Sequence, residues 1–234
     1  MKRLPYNLKE LENKVAVVTG GATGIGLASA RLLIERGARV AILGNDQDAL
    51  DAALIELKLL SESTIAILCD VSSEESVENA FNIFDRSFDR LSILVSNAAI
   101  QPFGTVADTS NALWNEIQGV NLTGSYLTAR ASIKRMKKSG SGSIVNVTSV
   151  QGSATQKRVA AYSTSKGGLL ALTRAIAVDH ADDNIRCNSV SPGCIDAPMT
   201  KFSASKNTTP ENERNLMEQW GRMQPLGRMG TAPE

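Results

Sequence analysis

The stretch KVAVVTGGATGIG, residues 14–26, decides the fold. Its first part, KVAVVTG (14–20), is a short β-branched run that is typical of a buried strand. Gly20, Gly24 and Gly26 follow in a G-x-x-x-G-x-G frame, and an amphipathic helix is predicted over 26–38. A strand, a glycine turn and a helix in this order begin a βαβ unit, whose helix N-terminus can bind phosphate groups.

Short apolar runs alternate with longer amphipathic runs along most of the remaining chain. The further predicted strands are 39–43, 64–68, 91–95, 142–148 and 184–190, and the further predicted helices are 46–60, 73–88, 109–137 and 160–180. This alternation predicts one α/β domain over residues 1–234, a Rossmann-like doubly wound parallel sheet with helices on both faces. We expect the strand order 3-2-1-4-5-6. No seventh strand can be argued from the sequence.

Residues 196–228 do not continue this alternation of short apolar and longer amphipathic runs. The stretch is rich in Ser, Lys, Asn, Met and Pro, and it predicts a mobile loop with one short helix. Ligands of open α/β sheets bind beyond the carboxyl ends of the strands, so we expect residues 196–220 to form a substrate loop. A plain surface excursion is the alternative. Lys201 and Lys206 could attract an anionic substrate or simply be solvated.

The overall composition narrows the class of protein. The 234 residues are 42% hydrophobic and carry a net charge of +1 without a basic stripe, which argues against nucleic-acid binding. The start of the sequence lacks the apolar segment of a secretory signal, and no run is long enough to span a bilayer. Cys69, Cys187 and Cys194 are widely separated and His180 is the sole histidine, so we expect a cytoplasmic protein without a metal site. His180 is expected to end a helix.

The residues after the second strand bear on the choice of dinucleotide. An acidic residue about 20 positions after the glycine turn binds the ribose hydroxyls in NAD-binding folds. Asp46, preceded by Asn45, could take that role, and no Arg stands there to pair with the 2′-phosphate of NADP. Thr23 rather than Arg precedes Gly24, which also favours NAD weakly. Asp46 could equally cap the next helix, so the expected cofactor is NAD or NADP, with a lean to NAD.

Tyr162 and Lys166 stand in the first turns of a largely apolar helix in AYSTSKGGLLALTRAIA, residues 161–177. Tyr162 and Lys166 are four residues apart and therefore share one face of the helix. A free tyrosine has a pKa of about 10, and we expect the nearby ammonium to lower it towards neutrality and make a better acid/base catalyst. Taken alone, the pair would more often be a tyrosine at the edge of the core and a snorkelling lysine.

Seven motifs in order resemble the classical short-chain dehydrogenase/reductase family, from about residue 12 to the end. They are TGGATGIG (19–26), DV (70–71), SNAAI (96–100), NLTG (121–124), IVNVTS (144–149), YSTSK (162–166) and NSVSPGCIDAPM (188–199). A single Y-x-x-x-K would be a weak signal, whereas the whole series at predicted strand ends is strong.

This resemblance implies an NAD(P)-dependent oxidoreductase that interconverts a secondary alcohol and a ketone by hydride transfer. It implies that Tyr162 is the acid/base, that Ser149, thirteen residues earlier, holds the substrate oxygen, and that Lys166 binds the nicotinamide ribose. Asn121 would help to pass protons to solvent. The expected cofactor-binding residues, with Asn45 and Asp46 included, are Gly20, Thr23, Gly24, Ile25, Gly26, Asn45, Asp46, Asp70, Val71, Asn97, Ala98, Tyr162, Lys166, Pro192, Gly193 and Ile195.

The resemblance also leaves questions open. The family usually has a Thr where this chain has Ala197, and Thr200 could replace its contact with the cofactor. The substrate is expected to be a small carbonyl compound or alcohol, chosen by residues 150–153 and by the loop at 196–220. A 3-oxoacyl-carrier reductase and a catalytically silent dinucleotide-binding protein are the alternatives. A serine hydrolase is disfavoured because there is no G-x-S-x-G elbow. We expect a homodimer or homotetramer in which the helix at 160–180 packs on its twin.

Overall fold

Six parallel strands form the central sheet of the protein. The computed structural model describes residues 10–234, so the first nine residues of the predicted domain lie outside it. The strands are β1 (Val15–Thr19), β2 (Arg39–Gly44), β3 (Ile65–Leu68), β4 (Ile93–Ser96), β5 (Gly142–Val147) and β6 (Ile185–Val190). Every pair in the sheet is parallel, and the order is β3-β2-β1-β4-β5-β6. The predicted Rossmann-like order is confirmed.

Helices connect consecutive strands, as right-handed parallel crossovers require. They are α1 (Gly24–Glu35), α2 (Gln47–Lys58), α3 (Glu74–Ser87), α4 (Asn111–Gln118), α5 (Gly124–Ser139) and α6 (Ala160–Asp179). Two more helices, α7 (Pro198–Ser205) and α8 (Glu213–Arg222), follow the sheet.

Successive side chains of a strand point to opposite faces of a sheet, and this alternation builds two hydrophobic cores. Val17 of β1 belongs to one cluster together with Phe81 of α3 and Met136 of α5. Its neighbour Val18 belongs to a second cluster together with Leu50 of α2. Helices therefore cover both faces, as predicted, and each fully buried side chain contributes about 1.5–3 kcal/mol.

The single helix predicted over 109–137 is present as an unbroken helical run over 111–139 with one wider turn in it. The residues Gly119–Thr123 form a π-helical turn between α4 and α5. A π turn inserts one extra residue into a helix, and such turns occur often at functional sites. The buried Asn121 lies in this turn. The prediction of one long helix is therefore confirmed, and only the π turn within it was not predicted.

The stretch 196–228 contains two helices, not the single short helix that was predicted. Helix α7 begins with a proline, whose fixed φ suits the first helical position. On either side of these helices, β7 (Ile195–Asp196) and β8 (Gly230–Thr231) form a separate two-stranded parallel sheet. Among residues 10–234 the central sheet holds six strands and no seventh, as expected from the sequence.

Local polar contacts fix several helix ends. The Ser73 side chain accepts a hydrogen bond from the Ser76 N–H and caps α3. His180 follows the last residue of α6, and its Nδ1 lies 2.9 Å from Asp183. Within the described part of the chain, no helix is both long and apolar enough to cross a membrane.

Candidate active site

A cavity of about 250 Å³ lies at the carboxyl ends of the central strands, with α7 and α8 on its outer side. Ligands of open α/β sheets bind at this edge. Many of the residues that the sequence singled out meet here: Gly20, Thr23, Gly24, Ile25, Asn97, Ala98, Ser149, Tyr162, Lys166, Pro192, Gly193 and Ile195.

The glycine turn and the loop after β4 form one rigid cradle at the inner end of this cavity. Gly20 has φ +59°, a backbone conformation that glycine adopts without strain. A Cβ on Gly26 would overlap the carbonyl oxygen of Gly20 and the side chain of Asn97. The Asn97 Nδ2 in turn donates to the carbonyls of Thr19 and Gly20, at 3.1 and 3.0 Å. The turn can therefore keep this shape only with glycine at position 26.

Helix α1 points its N-terminus at the same cavity. It begins at Gly24, and the Thr23 side chain makes no capping hydrogen bond. Gly24 and Ile25, the first residues of the helix, line the cavity. The first N–H groups of a helix carry partial positive charge and bind phosphate oxygens. A Cβ on Gly24 would lie 3.4 Å from the Ala197 Cβ, so the start of α7 closes over this end.

Ser149 and Tyr162 meet at the other end of the cavity. Ser149 follows β5, and its Oγ accepts the N–H of Gln151 at 3.1 Å. Tyr162, in the first turn of α6, lies in the same wall of the cavity as Ser149 and is 6% exposed. Burial raises the pKa of Tyr162, and the nearby Ser149 side chain only partly opposes this.

Lys166 lies one helical turn after Tyr162 and is almost fully buried. Its Nζ donates to the carbonyl of Val147 at 2.8 Å and lies 5.7 Å from the centre of the Tyr162 ring. Burial lowers the pKa of Lys166 to about 8. The prediction that Lys166 lowers the pKa of Tyr162 is wrong for the protein groups alone, because burial dominates the pKa of the phenol.

Asn121 lies behind the cavity and does not line it. Its Oδ1 accepts the N–H of Ile100 at 2.8 Å, and its Nδ2 donates to the Ile100 carbonyl at 2.9 Å. The same Nδ2 donates to the Ser165 Oγ at 3.0 Å. The side chain therefore ties the loop after β4 to α6. Among the described residues it makes no hydrogen bond to Tyr162 or Lys166.

The remaining expected cofactor residues lie along the ends of β2 and β3, outside the cavity lining. The Asp46 carboxylate accepts the Ala49 N–H at 3.1 Å and caps α2, while Asn45 is exposed. The Asp70 Oδ1 accepts the N–H and the hydroxyl of Ser72. Val71 is buried in the core. Because β2 pairs with β1 and β3 pairs with β2, these residues continue the carboxyl edge of the sheet outward from the glycine turn.

The loop at Pro192–Ile195 is held from its outer side by a residue that the sequence analysis missed. The Gln224 Oε1 accepts the Cys194 N–H at 3.3 Å, and its Nε2 donates to the Trp220 carbonyl at 3.2 Å. The Gly230 N–H donates to the Cys194 carbonyl at 3.0 Å. Thr200, expected to replace a missing cofactor contact, donates its hydroxyl to the Ile195 carbonyl at 2.6 Å.

Other parts of the cavity wall also escaped prediction. Val150 and Gln151 line the cavity as expected of substrate-selecting residues, whereas Gly152 and Ser153 do not. Lys201 pairs with Asp196 at 3.5 Å, and it does not line the cavity. In the sequence, apolar residues that stand within polar loops could have indicated part of this cavity wall. Met199, Ser203 and Trp220 lie within the predicted substrate loop at 196–220, whereas the unpredicted lining includes Gln101, Phe103, Gln156, Met223 and Gln224.

Comparison with known proteins gives consistent matches over most of the chain. The family model described as short chain dehydrogenase matches residues 14–208. The rat protein "Dehydrogenase/reductase SDR family member 4" is 39% identical over 195 residues, which are 83% of this chain and 69% of the rat protein. The cis-4-hydroxycyclohexanecarboxylate dehydrogenase of Sinomonas cyclohexanicum is 36% identical over 222 residues, 94% of this chain and 85% of that enzyme.

Solved structures give the same picture. A levodione reductase superposes with a TM-score of 0.91 at 29% identity, covering 96% of this chain and 88% of that one. An NAD⁺-bound xylitol dehydrogenase gives 0.88 at 30% identity, with coverages of 96% and 90%. An actinorhodin polyketide ketoreductase with NADPH gives 0.89 at 28% identity, with coverages of 94% and 86%.

Proposed function

The chain belongs to the short-chain dehydrogenase/reductase family of oxidoreductases that act on CH–OH groups, and from this premise we propose a small alicyclic alcohol and its ketone as substrates. The observation that carries the proposal is the meeting of Ser149, Tyr162 and Lys166 in one cavity with the glycine turn. Apolar side chains such as Phe103 and Met199 line the same cavity and suit a ring. The names of two similar proteins, a levodione reductase and a cis-4-hydroxycyclohexanecarboxylate dehydrogenase, also favour ring substrates.

The residues around the glycine turn fit a dinucleotide. The backbone at Gly20 and Gly26 is open to close approach, and the N-terminus of α1 offers N–H groups to the phosphates. A bound nicotinamide supplies or accepts the hydride. Asn97 and Ala98 on one side and Pro192 and Gly193 on the other would hold the cofactor in the cavity.

Tyr162 is the proposed acid/base. Because burial raises its pKa, the phenol keeps its proton near neutral pH and can donate it to a carbonyl oxygen during reduction. In oxidation the same oxygen takes the proton of the alcohol. Ser149, in the same cavity, would orient the substrate oxygen beside Tyr162. Lys166 would bind the nicotinamide ribose, and its ammonium together with the charge of the oxidised nicotinamide favours the phenolate.

Asn121 has a positioning role in this proposal. Its side chain is fully occupied by Ile100 and Ser165, so it fixes the loop after β4 relative to α6. We expect it to keep Ala98 and Tyr162 at the correct separation, in place of the proton-passing role implied by the family resemblance.

NAD is the proposed cofactor within the NAD(P) class. The turn residue Thr23 and the residues Asn45 and Asp46 after β2 offer no cation to a 2′-phosphate. The carboxylate of Asp46 would repel that phosphate while tolerating a ribose hydroxyl. Its hydrogen bond to the Ala49 N–H leaves the second carboxylate oxygen for the ribose.

The proposal extends to assembly and location. Residues 196–220 are the proposed substrate loop, because Met199 and Trp220 within or at its end line the cavity. The exposed Val178 and the partly exposed Leu170 give α6 apolar surface on which a second copy could pack, so we propose a homodimer or homotetramer. Light scattering after size exclusion tests this, and a monomer would refute it. Three free cysteines support a cytoplasmic location.

One experiment tests the function. Nicotinamide absorbance is followed with NADH, NADPH and a panel of cyclopentanone, cyclohexanone, a linear methyl ketone and a 3-oxoacyl thioester. Turnover of the cyclic ketones with NADH supports the proposal. Faster turnover of the thioester would assign the alternative, an acyl-carrier reductase. Tight NADH binding without turnover of any compound would indicate a catalytically silent protein.

A further inference from the structure

Ser203 has a buried hydroxyl without a partner. It lies in the second half of α7 and is 3% exposed, yet its Oγ makes no hydrogen bond within the described part of the chain. A buried hydroxyl is normally hydrogen-bonded, and leaving one unpaired is costly. This one therefore needs an explanation.

The helix itself offers no reason for the unpaired group. Ser205, two positions later, donates its hydroxyl to the Phe202 carbonyl at 2.9 Å. Thr200 on the same helix donates to the Ile195 carbonyl at 2.6 Å. Backbone carbonyls thus satisfy the other hydroxyls of this segment, whereas the Ser203 hydroxyl is left for another acceptor or donor.

The position of Ser203 indicates where that partner lies. Ser203 lines the active-site cavity, whereas the other buried unpaired side chains, Thr64, Ser132 and Asn146, do not. Among the described residues it is the only such group at the cavity wall. The Oγ itself is covered in this arrangement, so a molecule in the cavity becomes its partner when α7 adjusts and uncovers it.

The substrate fits this partner better than the cofactor does. Helix α7 meets the glycine turn at its start, where Ala197 and Pro198 approach Gly24. Ser203 lies five residues after Pro198, about 7.5 Å further along the helix axis. Its surroundings in the wall include apolar Met199 of α7 and Trp220 of α8, which suit the carbon skeleton of a substrate.

We propose that Ser203 determines specificity by hydrogen-bonding a second oxygen of the substrate, one that is remote from the reacting carbon. A serine hydroxyl can donate to a carbonyl or accept from a hydroxyl. The preferred substrates are then oxygenated rings, such as cyclic diketones and hydroxyketones, and unsubstituted cyclic ketones are poorer. This inference rests on the proposed alcohol/ketone activity and adds the class of substrate that the cavity selects.

The test compares two ketones that differ by one oxygen, cyclohexane-1,4-dione and cyclohexanone. We expect the ratio of their kcat/KM values to fall about tenfold in Ser203→Ala, mainly through the KM of the dione. Ser205→Ala, a change on the exposed side of the same helix, should keep the wild-type ratio. The Kd of NADH should be the same in all three proteins. Because Ser203 has no partner to lose, Ser203→Ala should melt no lower than the wild type.

Two results would overturn the inference. The ratio of the kcat/KM values could stay unchanged in Ser203→Ala, whether or not the Kd of NADH rises. Alternatively, Ser205→Ala could lower the ratio as much as Ser203→Ala does. If the wild type reduces neither ketone, the proposed function fails, and thermal shift of the NADH-loaded proteins decides the inference separately. A shift by the dione that exceeds the shift by cyclohexanone, and that Ser203→Ala loses, supports it. Equal shifts in both proteins contradict it.

Discussion

The Nζ of Lys166 donates its hydrogen bond to the carbonyl of Val147, at the end of the strand that leads to Ser149. The lysine is 2% exposed, and none of residues 10–234 gives it a carboxylate partner at this position. Burial therefore disfavours its charged form and lowers its pKa to about 8. The protein keeps a buried cation at its active site at the expense of its own stability.

Replacing this cation should stabilise the fold and abolish catalysis. The folded pKa is lowered from 10.5 to about 8, so the folded state binds fewer protons than the unfolded state between these values. The cost is complete below pH 8 and disappears as the pH approaches 10.5. After allowing for the partner lost by Val147, Lys166→Met should raise the free energy of unfolding by about 2 kcal/mol at pH 7.

Urea unfolding at pH 7 and pH 10 measures this effect. The gain in Lys166→Met should shrink at the higher pH, and Lys14→Met, at an exposed lysine, should change the stability by less than about 0.5 kcal/mol. A variant that is less stable than the wild type at pH 7 would contradict the assignment of Lys166 as a costly buried cation.

The Tyr162 hydroxyl should be essential for turnover but not for cofactor binding. Loss of a positioned acid/base group typically costs a factor of 10²–10⁴. We therefore expect Tyr162→Phe to lower kcat by about this factor, with the Kd of NADH unchanged by fluorescence titration. Tyr126→Phe, at an exposed tyrosine of α5, is the matched control. Near-normal turnover in Tyr162→Phe would remove Tyr162 from the mechanism.

The pH profile should report Lys166. In the free enzyme its ammonium, with a pKa of about 8, is present below this pH and lost above it. If the ammonium binds the ribose, kcat/KM for NADH should decline as the pH rises through about 8. A profile that stays flat up to pH 10 would show that the charge of Lys166 is not needed for capture of the cofactor.

Gln224 should position the loop at Pro192–Ile195. Gln224→Leu removes the acceptor for the Cys194 N–H and the donor to the Trp220 carbonyl. We expect the KM for NADH to rise several-fold with a smaller change in kcat, since the loop is loosened while Tyr162 stays in place. In a Trp114→Phe background, the emission of Trp220 should shift as α8 detaches. Gln219→Leu, at an exposed position of α8, should do neither.

Two substitutions of Asp46 separate its cap from its charge. Asp46→Ser keeps a capping oxygen for the Ala49 N–H and removes the carboxylate, whereas Asp46→Ala removes both. We expect both to shift the ratio of kcat/KM for NADPH to that for NADH upwards, by about tenfold. Only Asp46→Ala should also lose about 1 kcal/mol of stability. An unchanged ratio in both would leave Asp46 as a helix cap alone.

The sheet and the central motifs could be read from the sequence because they depend on local patterns. β-branched runs such as Val15–Thr19 form buried strands wherever they pair, and a glycine turn needs the same backbone in any context. The positions of Ser149 and Tyr162 follow from their places at the end of β5 and the start of α6.

Features that depend on tertiary contact could not be read in this way. The side chain of Asn121, in the π turn, makes hydrogen bonds with Ile100 and Ser165, which are distant in the sequence. The raised pKa of Tyr162 depends on burial, whereas its spacing from Lys166 had indicated the opposite direction. Gln224 and Cys194 are 30 residues apart in the sequence, and no local sequence pattern predicts a contact between them.

The two sides of the cavity differ in rigidity, and this difference determines the order in which ligands bind. The glycine turn is locked by Asn97 and by the absence of room for a Cβ at Gly26. The opposite wall, α7 and α8, is tied on through the Gln224 side chain and a sheet of two-residue strands. The surface that binds the dinucleotide is therefore formed before any ligand binds. Helices α7 and α8 can then adjust around the molecule that binds second. Steady-state kinetics should then be sequential and ordered, with the nicotinamide cofactor adding first and leaving last.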